Sequence, residues 1–241
     1  MAILYIVATP IGNLGDLTYR AGEVLRGVDA LACEDTRRTQ FLLDHYGIPR
    51  PGIVFSQHEH NEDRAAQRVL GLLDEGRNVA VCSNAGYPGI SDPGFRAIQA
   101  AVEAGHRVEV IPGASAVPVA LLVSGLPTSS YTFRGFPPRK EGRCRAFLAQ
   151  DRELPHTQIF YESPFRIGKF LALAHAELGN RRAAVCLELT KLHERVRRGW
   201  LADLAAEFAD AKVKGEAVIV VAGNHPKFVS GDEDGPEMSE P

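Results

Sequence analysis

Four times over, the chain repeats one arrangement: a short strand-like run, a loop of small and turn-forming residues, then a helical pattern. The runs are Ile3–Val7, Ala30–Cys33, Asn78–Cys82 and Arg107–Ile111. Strands that alternate with helices build a mostly parallel sheet, because parallel neighbours need a crossover to bring the chain back. In such a sheet the loops after the strands collect on one edge, which is where open α/β sheets place ligands. The longest of these loops is Ser83–Gly94, Ser-Asn-Ala-Gly-Tyr-Pro-Gly-Ile-Ser-Asp-Pro-Gly. Its twelve residues exceed the roughly 2–6 usual for such connections. Three Gly let backbone approach a bound group and two Pro stiffen the path.

The remaining segments of the first half fit the same plan. Ala8–Thr18 is a Gly/Pro loop whose Gly-x-x-Gly is not a dinucleotide fingerprint, and Asp16 or Thr18 is placed to cap a helix through Arg26. Glu34–Thr39 sets acid and base together at a strand end, with Thr36 able to cap the helix that follows. Gly52–Ser56 reads as a third strand leading into Gln57–Glu62. There His58 and His60 lack a third ligand at metal spacing and H-E-x-x-H is absent, so substrate contact or a helix entry is expected and no metal. Ala65, Val69, Leu70, Leu72 and Leu73 mark an amphipathic helix that Gly76 ends. Phe95–Ala104 reads as a helix, and Pro112–Ala116 repeats the loop pattern before a helix at Val117–Ser124.

The pattern restarts after Pro127–Ser130. This predicts an N-terminal α/β domain at 1–126, a C-terminal α/β domain at 127–229 and an acidic tail at 230–241. In the second domain Tyr131–Arg134, Thr157–Tyr161, Ala183–Leu189 and Ala217–Ala222 read as strands, and the charged run Glu194–Leu201 as an edge strand. Gly135–Arg143 reads as an exposed basic loop, Phe147–Leu154 as the close of a helix, and Ala202–Ala209 as helical. Ser163 and Pro164 open a further helix.

No apolar run reaches the ~18 residues of a membrane span. The N-terminus has no basic region before its apolar residues and reads as a strand, not a signal peptide. Cys33, Cys82, Cys144 and Cys186 lie far apart with no C-x-x-C, which fits reduced, buried thiols in a cytoplasmic protein. The formal charge of −3 hides a division: five acids sit in the tail, which has no apolar pattern and is expected to be disordered. Without them 27 basic residues stand against 25 acidic, so a nucleic-acid site must be a local patch.

No nucleophile elbow, phosphate-binding loop or zinc spacing is present. The residues themselves describe a cleft lined by backbone, suited to a cofactor that brings its own chemistry. A more specific reading comes from Leu4–Asp16, Glu34–Thr39, Ser83–Gly94, Pro112–Ala116, Phe160–Arg166 and Glu188–Lys191 taken in order. Together they resemble the bacterial 16S ribosomal RNA cytidine-2′-O-ribose methyltransferases of the tetrapyrrole methylase superfamily, over about residues 3 to 223. The resemblance implies an α/β, two-domain tetrapyrrole-methylase-like fold, its N-terminal sheet mostly parallel and its C-terminal sheet mixed, with S-adenosylmethionine in the interdomain cleft. It also implies a cytoplasmic homodimer acting on a cytidine in the decoding region of the small ribosomal subunit.

By motif, the cofactor is expected against Thr9, Pro10, Gly12 and Asn13, against Ser83, Asn84, Ala85 and Gly86, against Ser115 and Ala116, and near Leu189 and Ala217. Arg37, Arg38, Arg139, Lys140, Arg143 and Arg166 are the candidates for RNA phosphate. Candidate bases for the ribose hydroxyl are Asp35, Glu162 and Asp92. Three positions depart from the family pattern: Asn84 stands for an Asp, Tyr87 for a Thr and Leu187 for an Arg, and the acidic tail replaces a C-terminal extension. Two other readings stay open: a tetrapyrrole C-methyltransferase of the same superfamily, against which the Glu34–Arg37 and Phe160–Ser163 motifs speak, and a cofactor-binding relative that acts as a ribosome-binding module without catalysis, which Asn84 and Tyr87 alone motivate.

Overall fold

In a computed structural model, which describes residues 2–230, contacts divide the chain into two units, Met1–Ala116 and Val117–Pro241. The tail expected at 230–241 lies, apart from Ser230, outside the described residues.

The first unit is a five-stranded, wholly parallel sheet of β1 (Ile3–Val7), β2 (Ala30–Cys33), β3 (Ile53–Ser56), β4 (Val79–Cys82) and β5 (Arg107–Ile111), in the order β3-β2-β4-β1-β5. The central β4 is buried at every position, and so is β2. That follows from cover on both faces, which asks for continuous apolar runs instead of alternation. One face packs Leu4, Ile6, Ala32, Phe55 and Val81 against α3 (Glu62–Asp74) and α4 (Phe95–Glu103). The other packs Val7, Leu31, Cys33 and Ala80 against α1 (Tyr19–Gly27) and α2 (Thr36–His45). Since all five strands run the same way, their following loops share one edge.

The second unit holds a mixed sheet of β6 (Tyr131–Phe133), β7 (Thr157–Glu162), β8 (Arg182–Leu187), β9 (Arg195–Trp200) and β10 (Ala217–Val221), ordered β6-β7-β10-β8-β9. Only β6 and β7 pair in parallel. The buried run Ala-Val-Ile-Val-Val takes the centre, and Arg-Val-Arg-Arg-Gly-Trp takes an edge, as its charge requires. On one face Phe160, Val185, Leu187 and Ile219 pack against α6 (Glu141–Ala149), α7 (Ile167–Leu178) and α8 (Leu201–Phe208). Cys186 Sγ lies 3.9 Å from Ala120 O, and Arg198 Nε donates to Val123 O at 2.9 Å, which ties α5 (Ala116–Ser124) to this sheet. The division falls after Ala116, the first residue of α5, and not at the expected 126/127 boundary.

Several local expectations are corrected. Asp35, not Thr36, occupies the N-cap of α2, since its carboxylate reaches the Arg37 N–H at 2.9 Å. Thr18 caps α1, while Asp16 ends a single 3-10 turn, Leu14–Asp16. The helix expected to close over Phe147–Leu154 ends earlier, at Ala149, and starts at Glu141, so Arg143 belongs to α6 and not to a loop. Ser163 and Pro164 open a 3-10 turn, Pro164–Arg166, before α7 begins, and the Ser163 side chain makes no cap bond. Strand β8 stops at Leu187 because Glu188 turns to φ 51°.

Candidate active site

At the loop edge of the first unit, the loop after β1 and the central loop after β4 are joined. Thr9 N–H donates to Gly86 O at 2.9 Å and Gly86 N–H donates back to Thr9 O at 3.0 Å. Gly86 takes φ +72°, which a residue with Cβ rarely adopts, and the turn depends on it. Thr9 Oγ1 adds a bond to Ser83 O at 3.2 Å, and Ser83 Oγ closes on Ala85 O and Gly86 O at 3.1 and 3.3 Å. Thr9 and Ser83 are thus buried structural hydroxyls. Pro10, Gly12, Asn13, Asn84 and Ala85 lie on the same two loops, and Asn13 spends its side chain capping the turn at Gly15.

The loop after β5 joins them through Tyr87. Its phenol oxygen accepts the Gly113 N–H at 2.9 Å and lies 3.5 Å from Gly113 O. Gly113 is pressed against Ala8 on the other side: a Cβ there would stand 3.0 Å from the Ala8 Cβ. Tyr87, one of the departures from the family pattern, therefore fastens two loops where a threonine side chain is too short to span. Ser115 and Ala116 follow on the same loop.

Two residues to which the sequence assigns no site role, Glu34 and Gln57, complete this edge. Glu34 Oε2 accepts the Asn84 N–H at 3.1 Å. Gln57 is 2% exposed, and its amide nitrogen and oxygen are both buried without a hydrogen-bond partner among the described residues. Asn84 Oδ1 and His58 Nδ1 are in the same condition. The signal for Gln57 was strand alternation: Ile53 and Phe55 face the α3–α4 core, so the next odd position points inward too. Among the described residues no group of three or more His, Cys, Asp and Glu is placed to hold a metal ion.

The three candidate bases stand in different surroundings. Asp35 caps α2 and receives Arg37 Nε and Nη2 at 3.2 and 2.9 Å. The Arg37 side chain, with its backbone N–H, holds the carboxyl down at about 2, so it is a weak proton acceptor. Asp92 is half-buried in the central loop, next to Ser91, whose φ is 60°. Glu162 ends β7 in the second unit and is 3% exposed. Its Oε1 accepts the Ser163 N–H at 2.7 Å and lies 3.3 Å from Arg166 Nη1, whereas Oε2 is buried with no hydrogen-bond partner among the described residues. Burial raises its pKa against the pull of the Ser163 N–H, Arg166 and Arg139.

Elsewhere in the second unit, Glu188 and Thr190 adopt left-handed φ of 51° and 66° on either side of the buried Leu189. Such conformations cost of order 1–3 kcal/mol each and need support. Lys191 Nζ supplies it, pairing with Glu188 at 2.8 Å and Glu216 at 2.9 Å, while Glu188 and Glu216 exchange two more bonds. The turn is thereby held against the start of β10 at Ala217.

The six basic candidates do not form one group. Arg37 and Arg38 sit on α2 in the first unit, Arg37 paired with Asp35. Arg139, Lys140 and Arg143 are exposed in the second unit and make no ion pair among the described residues. Arg166 joins them, since its Nη2 donates to Pro138 O at 3.1 Å. Leu187, the third departure, is buried in the apolar core cluster, where an arginine head group would be stranded.

A parallel sheet with joined glycine-rich strand-end loops, followed by a mixed sheet with a buried carboxylate, defines a class. The chain belongs to the tetrapyrrole (corrin/porphyrin) methylase family, which matches over residues 3–205, and it is an S-adenosylmethionine-dependent methyltransferase. Ribosomal RNA small subunit methyltransferase I of Halalkalibacterium halodurans is 44% identical over 224 residues, which are 93% of this chain and 77% of that protein. The protein of the same name from Xylella fastidiosa is 45% identical over 240 residues, 98% of this chain and 85% of that one. Among solved structures, the methyltransferase CobJ superposes with TM-score 0.70 at 17% identity, covering 93% of this chain and 95% of its own. Diphthine synthase does so at 0.66 and 16%, covering 92% and 90%. Those two likenesses concern the fold.

Proposed function

We propose that this chain methylates the 2′-hydroxyl of a cytidine in the decoding region of 16S ribosomal RNA, within the small ribosomal subunit. The observation that carries the reading is 43–46% identity, over most of the chain, to proteins named ribosomal RNA small subunit methyltransferase I. A cytoplasmic homodimer is part of the same proposal. No described helix is long and apolar enough to cross a membrane.

The loops of the first unit suit S-adenosylmethionine. They present backbone and small side chains, and the unpartnered Asn84 Oδ1 is an acceptor for an ammonium or a hydroxyl. Thr9, Pro10, Gly12, Asn13, Ser83–Gly86, Ser115 and Ala116 would hold the cofactor there, and Leu189 and Ala217 in the second unit. When bound it supplies an electrophilic methyl group on sulfonium sulfur. The protein's part is to hold the ribose oxygen in line with that carbon and to exclude water. Orientation of this kind reaches effective molarities of order 10⁵ M or more. Of the three candidates, Glu162 is the one whose surroundings suit it to take the hydroxyl proton, on the buried Oε2 that has no hydrogen-bond partner among the described residues. Its raised pKa brings it nearer to working pH, whereas Asp35 is held near 2. Arg139, Lys140, Arg143 and Arg166 hold phosphate, as do Arg37 and Arg38.

The test is transfer of labelled methyl to purified small subunits, to free 16S RNA and to uroporphyrinogen. Label in the ribose of a subunit cytidine is the expected result. Label only in the tetrapyrrole would replace this function with the C-methyltransferase reading.

A further inference from the structure

We propose that Phe136 and Phe165 form a base-stacking platform beside Arg139, Lys140, Arg143 and Arg166, so that this face of the second unit takes unpaired RNA in preference to duplex. The proposal rests on the reading of the chain as a ribosomal RNA methyltransferase.

Phe165 is 85% exposed and Phe136 is 59% exposed. They lie far apart in sequence yet on adjoining segments. Arg166, the residue after Phe165, donates from Nη2 to Pro138 O at 3.1 Å, which fastens the Pro164–Arg166 turn to the segment that carries Phe136. Tyr161 N–H also donates to Gly135 O at 2.9 Å. Phe136 packs T-shaped against Tyr161, with centroids 5.5 Å apart, and Tyr161 meets Phe133 in the same way at 4.8 Å. The Phe136 ring is therefore steadied from within while much of it faces solvent. Pro164 and the 3-10 turn fix the backbone that carries Phe165.

The charge around the two rings favours phosphate. Glu141 is taken up by Arg145 and Lys169, Glu177 by Arg145 and Arg152, and the buried Glu162 by Arg166. Arg139, Lys140 and Arg143 make no ion pair among the described residues. Basic side chains alone would serve duplex and single strand alike, because phosphate carries no base information. Exposed rings add something a duplex cannot use, since its bases are already stacked on each other. Looped or splayed nucleotides present free π-faces, and aromatic side chains are how proteins hold them.

The full chain is tested by fluorescence anisotropy against a short single-stranded RNA carrying one 2-aminopurine, and against the same RNA annealed to its complement. The expected result is tighter binding of the single strand, with quenching of the 2-aminopurine as it stacks. Phe165→Leu keeps an apolar group and loses the ring, and circular dichroism checks its fold. It should weaken single-strand binding about 5- to 100-fold and abolish quenching, with the salt slope unchanged. Phe165→Tyr should restore both. Lys140→Ala should instead reduce the salt slope by about 0.7 and leave quenching intact. Unaltered affinity and quenching in Phe165→Leu, or preference of the unmodified chain for duplex, would overturn the platform alone. Failure of the unmodified chain to bind either RNA, together with no methyl transfer to small subunits, would remove the ribosomal RNA reading and the platform with it.

Discussion

Glu162 and Asp35 are both carboxylates at strand ends, and their surroundings send them in opposite directions. Burial lifts the first, and Arg37 holds the second near 2. For Glu162 the protonated form is the one folding favours. Its contribution to stability is present below the ordinary 4.5 and fades as pH rises through the elevated folded value, while activity that needs the carboxylate rises over that same interval. Glu162→Gln should therefore lower kcat by roughly 10²–10⁴ and erase the ascending limb of the pH–rate profile. A loss of kcat with the limb still in place would make Glu162 a structural residue. Tyr87→Phe leaves the Gly113 N–H without its acceptor. It should lower stability by about 1 kcal/mol and weaken cofactor binding measured by calorimetry, and Tyr87→Thr should do the same because its hydroxyl stops short. Unchanged affinity in both would make the fastening irrelevant to the cofactor.

Among the elements, the sequence was legible wherever burial and period agree. The apolar runs of β1, β2 and β4 and their strand-end loops follow from pattern alone, and so does the charged edge strand β9. The helix boundaries of the second unit did not, because α6 carries charge on its first turn and Phe147 inside, and nothing local marks its start. The site was legible as a set of loops but not as a set of bonds. The reciprocal Thr9–Gly86 pair, the Tyr87–Gly113 contact and the inward Gln57 join segments far apart in the chain, and no spacing rule reports them. Two glycines show the same limit. In α7, a Cβ at Gly168 would run into the Phe208 carbonyl at the end of α8, so the helices touch by backbone there. Gly168→Ala should cost about 1–3 kcal/mol in chemical denaturation, although alanine is the better helix former. At Gly94, φ is +146° and a Cβ would stand 2.9 Å from Gly89 N, so Gly94→Ala should lower the melting temperature through strain in the central loop.

Across the whole molecule, all four cysteines are free and buried, and they are divided between the two units. Burial raises the thiols of Cys33, Cys82 and Cys144 and pushes Cys186 up to about 12. A thiol reagent should find no reactive cysteine in the folded chain and four after denaturation, and partial labelling under native conditions would report opening of one unit ahead of the other. The bond pair between Thr9 and Gly86 has a consequence for how such a chain can change. Two loops that exchange donors and acceptors at one point are no longer independent segments, for an insertion in either shifts the register of both. Variation in length should be confined to the stretches beyond Gly86 and Asn13. Any attempt to move this loop edge onto another parallel sheet must carry both loops together, as one part.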